Sequence, residues 1–489
     1  VATVTGVGLP MLKIAALIFS GGTLLALYVV ARRFFGRGAG LLAALAYVAG
    51  PPLVAFWGVC LMGFHSESVL PSLLLTHLTL SLVAERERNA RAWLGVGLLV
   101  GLNLWFTPIA AIAVAACGLT LLALRGVPRP RELAWGAAGA TIGLLPWLAY
   151  NVTHEWAGIG RVLELFGLRP ARDLFRSQSL WPRTVELLTR TPTEGLLDPA
   201  GELVGSVWRP LLFAAVLLPA AAALIASARR TLRALAGPRW RGGVDDPARL
   251  ELVFWLYLVL FSVGYLVSRF TLELDPRPIA FRLLVPPAVF AIVLVAISGG
   301  HWLAARGKRR MVGGLAAGVA LMALAASTAT LAVRHEVEGG APERSLGYLV
   351  LGRLAQRKYP RPIERALAEV RPVQRQQDRA YARFGIGWGL VEDYEQGGSL
   401  DELRSTLARL PELERGQVRQ GVRMGIEFRL GVLTPAVART GNPDLVRSER
   451  RLRELLRELG EPMRQSPAGL GARLQPWSSR SPATERLHQ

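Results

Sequence analysis

The sequence predicts an all-α protein: a polytopic transmembrane helical bundle followed by a soluble α-helical C-terminal domain. Three observations predict it. Ten apolar stretches fill the first 333 of 489 residues, arginine clusters occupy every second gap between them, and from Arg334 onward the composition turns to a soluble helical pattern. The stretches run over 9–30, 39–60, 67–84, 92–108, 109–124, 133–150, 208–228, 251–270, 282–300 and 311–333. Most approach the roughly 20 helical residues that cross a hydrocarbon core about 30 Å thick. Three domains follow from this division: a membrane domain over 1–333, a helical domain with weak repeats over 334–460, and a disordered tail over 461–489 that is rich in Ser, Pro and Arg.

Composition narrows the class. The chain is 51% hydrophobic with a mean hydropathy of +0.32, too apolar for an ordinary soluble protein. Its net charge of +21 fits cytoplasmic loops facing anionic headgroups, and no basic face interleaved with exposed aromatics points to nucleic acid. Only Lys13, Lys308 and Lys358 break an otherwise all-arginine basic set, a bias that suggests a GC-rich bacterial genome. Cys60 and Cys117 both fall in apolar stretches, which excludes a disulfide framework. Nothing requires a cofactor or a metal.

The arginine clusters set the orientation. Arg32-Arg33 with Arg37, the run from Glu85 to Arg91, Arg125 to Arg131, Arg229 to Arg249, and Arg306 to Arg310 all fall on one side under strict alternation, and the positive-inside rule makes that side cytoplasmic. Residues 1–8 are then external without a leader, which the sequence reads as an N-terminal truncation with a further helix upstream. The C-terminal domain is external by the same parity, hence periplasmic in a Gram-negative inner membrane.

Taken in order, the elements carry few local signals. Pro51-Pro52 predicts a break inside the second stretch. Gly97 with Gly101, Gly139 with Gly143, and Gly314 with Gly318 are small-xxx-small pairs that let helices approach closely. The long external loop, 151–208, carries Trp156, Leu163, Phe166, Leu174, Phe175, Trp181, Leu187 and Leu188 at amphipathic spacing, as helices lying in the interface plane would. Near the C-terminus, Gly385 and Gly389 recur as Gly421 and Gly425, a period of 36 that suits helix-turn-helix repeats.

The candidate functional residues are external. His65 and Glu67 stand in a short turn where two helices meet the interface. They can bind a metal, orient a hydroxyl or act as a base, and they equally suit a solvated turn whose carboxylate favours the following helix N-terminus. Trp105, with Asn103, marks a tight corner ending at Pro108, where an interfacial anchor is the plain reading. His77 lies mid-membrane and suits an interhelical hydrogen bond. Arg161, with Arg169, Arg172, Arg176, Arg183 and Arg190, makes the long loop basic. It forms either a solvated face or a phosphate trap, since guanidinium forks bind phosphate oxygens bidentately. Asp275, Arg277 and Arg282 form the last cluster, where snorkelling to headgroups and contact with a phosphate are both open.

Several of these runs resemble one family. Tyr28 to Gly36, the turn from Gly63 to Glu67, the Trp105–Pro108 corner, Leu144 to Asn151, and Phe281-Arg282-Leu283-Leu284-Val285-Pro286 are similar, in order and topology, to segments of bacterial GT-C membrane glycosyltransferases of the protein O-mannosyltransferase and aminoarabinose transferase group. The resemblance covers about residues 9–333. It implies transfer of a sugar from a polyprenyl-phosphate donor to a lipid or glycan acceptor at the external face, with membrane lipids as further partners. It implies inversion, an external acid as base, and basic residues on the leaving phosphate; Arg277, Arg282 and Arg161 are the phosphate candidates and His65 and Glu67 the supporting ones. The family's acid lies in its first external loop, which this reading places upstream of Val1; no Asp precedes Asp173 and no Glu precedes Glu67. Two rivals remain: a non-catalytic scaffold of the same fold, and a lipid-linked glycan transporter or flippase.

Overall fold

The structure is a computed structural model that describes residues 9–59, 67–84, 89–153, 156, 180–197, 208–237, 246–267, 282–337, 342–359, 363–373, 376–395, 399–440 and 443–459. It is all helical: 92% helix, with no strand among the described residues. The predicted tail beyond 460, residues 63–66 of the first predicted turn, the predicted turn at 273–278, and residues 157–179 and 198–207 of the predicted long loop, with Leu163, Phe166, Leu174 and Phe175, lie outside the described residues.

Each apolar stretch is helical where it is described, and the second, 39–60, forms two helices. Six are long and apolar enough to cross a membrane: Ile14–Phe35, Pro130–Thr153, Arg209–Ala236, Pro247–Leu266, Val285–Ala304 and Arg310–Ala329. Four more, Arg37–Ala49, Val69–Ala84, Ala90–Phe106 and Ala111–Arg125, are apolar but shorter. In chain order they are α1 (Leu9–Phe35), α2 (Arg37–Ala49), α3 (Pro52–Val59), α4 (Val69–Ala84), α5 (Ala90–Phe106), α6 (Ala111–Arg125) and α7 (Pro130–Thr153). Then come α8 (Leu180–Val185), which continues as a π-helix over Glu186–Leu197, α9 (Trp208–Ala236), α10 (Pro247–Leu250), α11 (Leu252–Val267), α12 (Val285–Ala304) and α13 (Lys308–Val337). The break expected at Pro51-Pro52 is present. α2 ends at Gly50, whose φ of 30° suits a residue without Cβ, and α3 starts afresh at Pro52.

Polar cross-links join like ends of neighbouring helices. At the arginine-rich end, Arg125 donates to the Leu82 carbonyl (2.9 Å) and pairs with Glu132 (3.0 Å), and Arg230 donates to Ser298 (2.9 Å). At the opposite end, Ser20 meets Tyr47 (3.1 Å) and Thr328 donates to the Ala49 and Gly50 carbonyls (3.1 and 3.0 Å). Strict alternation gives this pattern: helices next to each other in the chain are antiparallel, as in α6 with α7 and α1 with α2, and helices two or more steps apart meet in parallel, as in α4 with α6, α9 with α12 and α2 with α13. Leu17, Ile18, Leu25, Leu145, Leu218 and Leu315 are exposed on the outside of the bundle, which suits lipid rather than water as the surrounding solvent.

Glycine decides the tightest crossing. A Cβ on Gly97 would collide with the Gly136 carbonyl oxygen, and one on Gly101, Gly139 or Gly143 would also strike backbone of the facing helix, so α5 and α7 touch main chain to main chain. The third expected pair behaves differently. A Cβ on Gly318 would meet nothing within 4 Å and one on Gly314 would make only ordinary contact with Leu303 (3.5 Å), whereas one on Gly313 would collide with Trp302 of α12. Gly313 and Gly314 thus face α12, and the close approach falls at Gly313 rather than on the predicted pair.

A second core lies in the C-terminal helices α14 (Pro342–Lys358), α15 (Ile363–Val370), α16 (Gln376–Glu395), α17 (Leu400–Ala408), α18 (Glu412–Thr440) and α19 (Pro443–Glu458). They form three helix pairs, in each of which the longer helix leads, beginning at 342, 376 and 412. The sequence repeat at Gly385 and Gly421 therefore has a third copy, in α14, where Gly352 takes the close-contact position against Ala382. Three pairs meet the usual minimum for a stacked helical array. Gly385 faces Leu349 on one side while Gly387 faces Val418 on the other, so α16 is packed closely by both neighbours. Across the same interface Arg383 pairs with Glu414 at 2.7 Å; burial pulls its guanidinium below the ordinary value, and Glu414 opposes that shift.

Candidate functional site

The end of the bundle opposite the arginine clusters holds the described candidates. Glu67 lies just before α4 and is 5% exposed, so the solvated-turn reading does not describe it. Behind it a polar seam descends α4 at helical spacing: Ser68, Ser72, Thr76 and Thr79 are all buried. Ser72 donates to Asn103 Oδ1 (2.7 Å), Asn103 Nδ2 donates to the Leu99 carbonyl (2.7 Å), and Thr76 donates to the Ser72 carbonyl (2.8 Å). Thr76 also lies 3.8 Å from the thiol of Cys117 on α6. Satisfied polar contacts of this kind hold helices together inside a bilayer. Here they fix the start of α4, with Glu67, against the end of α5, with Trp105.

Trp105 is partly exposed and packs edge-on against Phe106 (5.2 Å), which in turn meets Phe19 of α1 (5.9 Å). The Thr107 amide donates to the Asn103 carbonyl, closing α5 before the Pro108 turn. Asn103 thus serves the corner with its backbone and the seam with its side chain.

A second cluster surrounds the returning end of the long loop. Arg183 of α8 is 3% exposed; its Nη1 donates to the Leu266 carbonyl (3.1 Å) and its guanidinium lies 5.0 Å from the Tyr265 ring centroid. Tyr265 donates its hydroxyl to Glu186 (2.7 Å), and Arg190 approaches Glu186 at 3.9 Å. These contacts tie the end of α11 to a π-helix, a form that often marks functional positions. The Arg183 site emerges from a loop that sequence reasoning read only as generally basic. Glu186 and Tyr265 carried no sequence signal, because their pairing depends on two segments 79 residues apart.

The other candidates are distributed as follows. Arg282 opens a 3-10 turn, Arg282–Leu284, that leads directly into α12. His65, Arg161, Asp275 and Arg277 lie outside the described residues. His77 makes the expected interhelical bond: its Nε2 accepts from Arg33 Nη1 (3.1 Å), and its ring packs on Phe34. Among the described residues no group of three or more His, Cys, Asp or Glu could hold a metal ion. At the arginine-rich end, buried Glu251 is enclosed by Ser227, Arg230 and, through Ser227, Trp255, an arrangement whose polar groups satisfy one another.

Residues 1–150 match the family described as dolichyl-phosphate-mannose-protein mannosyltransferase. The matched region contains Glu67, the Ser72–Asn103 bond and Trp105, and it ends within α7. No curated protein and no solved structure matches the chain. The family match points to a glycosyltransferase kind of activity on a lipid-linked sugar, and with the apolar helices it indicates a multi-pass membrane protein.

Proposed function

We propose that this chain works as an integral-membrane glycosyltransferase that takes a sugar from a polyprenyl-phosphate donor and delivers it to a lipid or glycan acceptor at the end of the bundle away from the arginine clusters. On this reading that end is the external face of a bacterial inner membrane, and the three helix pairs beyond α13 stand on the same side. One observation carries the proposal: the match to a mannosyltransferase family falls on the segment in which a buried carboxylate, Glu67, lies at the start of a helix that the Ser72–Asn103 bond ties to its neighbour.

The chemistry divides into two tasks. An acceptor oxygen attacks the anomeric carbon, the bond to the phosphate oxygen breaks, and polyprenyl phosphate departs. Inversion places the attacking group and the leaving phosphate on opposite faces of the sugar. A base or hydroxyl-orienting group is therefore needed on one face and cations on the other. Glu67 and His65 are proposed to support the acceptor side, with Trp105 flanking it. Arg277, Arg282 and Arg161 are proposed for the phosphate, with Asp275 as a further member of that cluster.

The test uses the whole protein in liposomes with polyprenyl-phosphate mannose and reads acceptor-dependent release of polyprenyl phosphate. Arg282→Ala is expected to lower kcat/KM by about tenfold or more, the loss of one charge-assisted contact. An unchanged kcat/KM would remove Arg282 from the phosphate site. A folded protein that releases nothing from any polyprenyl-phosphate sugar would overturn the enzyme reading in favour of the scaffold.

A further inference from the structure

We infer that Trp181, Val185 and Leu188 form a bilayer-docking ridge, which seats the 180–197 segment in the headgroup layer at the bundle end away from the arginine clusters. Trp181 and Val185 stand at i and i+4 on α8 and Leu188 follows in the first turn of the π-helix, and the three are 74%, 40% and 69% exposed. The opposite face is closed: Arg183, Glu186 and Leu197 are buried, and the Arg183–Leu266 and Tyr265–Glu186 bonds hold that face against α11. The segment cannot turn its ridge inward without breaking both bonds, so the apolar ridge faces outward by construction.

Lipid is the occupant that fits. The ridge lies at the end of the bundle where Tyr150 and Val152 of α7 and Leu211 of α9 are also exposed, so it continues the apolar belt of the spanning helices. Its largest member is tryptophan, whose ring favours the boundary between acyl chains and headgroups. Arg190, partly exposed on the same segment while it approaches Glu186 at 3.9 Å, adds a cation beside the ridge. An amphipathic segment with aromatic and aliphatic residues on one face and a basic flank is the form that lies in the interface plane.

The experiment places a nitroxide at one position at a time in the full chain, with Cys60→Ala and Cys117→Ala as background, in phosphatidylcholine–phosphatidylglycerol liposomes. Trp181→Cys, Val185→Cys and Leu188→Cys are each labelled, and collisions with oxygen and with a water-soluble nickel chelate are compared. Leu25→Cys on α1 serves as the lipid-facing reference and Asp401→Cys on α17 as the aqueous one. Docking in the headgroup layer predicts, at all three ridge positions, more oxygen and less nickel collision than at the Asp401 reference, shifted toward the Leu25 reference. Values like the Asp401 reference would overturn the inference in favour of a solvated face. Low collision with both reagents would overturn it in favour of a protein cover. Because the readout needs no turnover, it stands or falls separately from the transferase proposal.

Discussion

Asn103 sets the geometry of the candidate site at the scale of single residues. Its side chain bonds Ser72 and the Leu99 carbonyl, and its carbonyl accepts from Thr107. Asn103→Leu is expected to destabilise the bundle by about 1–2 kcal/mol, and a double-mutant cycle with Ser72→Ala should return a coupling near 0.6–1.7 kcal/mol. Unfolding in mixed detergent measures both; additive losses would show that the bond does not couple the two helices. Glu251 poses a sharper case, because it is fully buried and partnered by Arg230. Arg230→Ala leaves that carboxylate uncompensated and should cost on the order of 3–5 kcal/mol, whereas Glu251→Gln, which keeps a hydrogen-bonding amide, should cost less. Equal losses in the two variants would argue that volume, not charge, matters there. Residues in short turns beside apolar runs, such as Glu67 and Trp105, were readable in sequence because a polar group at a membrane boundary is conspicuous. Glu186 and Tyr265 were not, since neither stands out until the chain is folded.

Helix packing turns on which glycines face a neighbour. Gly97→Leu or Gly139→Leu should force α5 and α7 apart, and loss of the folded fraction on gel filtration is the expected result. Gly118→Ala is the matched control, because nothing lies within 4 Å of its position; it should be neutral or stabilise by roughly 0.5–1 kcal/mol. If Gly118→Ala proved as damaging as Gly97→Leu, the close-approach argument would fail. Spacing alone identified the α5–α7 glycines but also proposed Gly314 with Gly318, because a small-xxx-small pattern says nothing about which way a helix is turned. The same limit applies to the C-terminal repeats. Two copies share a Gly-xxx-Gly pattern, and the third, in α14, keeps only Gly352 at the contact, so its kinship becomes visible only once the helices are stacked.

For the whole molecule, the ladder of apolar stretches and arginine clusters predicts which helix ends meet. The Arg125–Glu132, Arg230–Ser298, Ser20–Tyr47 and Thr328–Gly50 contacts each respect it. This was legible in the sequence because length and hydropathy alone decide whether a helix spans a bilayer. The chemistry was less legible, because a phosphate site draws on loops whose approach no periodicity encodes. The family match, confined to residues 1–150, supports the sugar-transfer reading from one part of the chain. The most direct measurement of that reading uses sealed proteoliposomes of known orientation, with labelled polyprenyl-phosphate mannose and an acceptor supplied on one side only. The account predicts transfer when the acceptor is on the side away from the arginine loops, and a loss on Glu67→Gln. Transfer confined to the arginine side, or none from either side by folded protein, would contradict it.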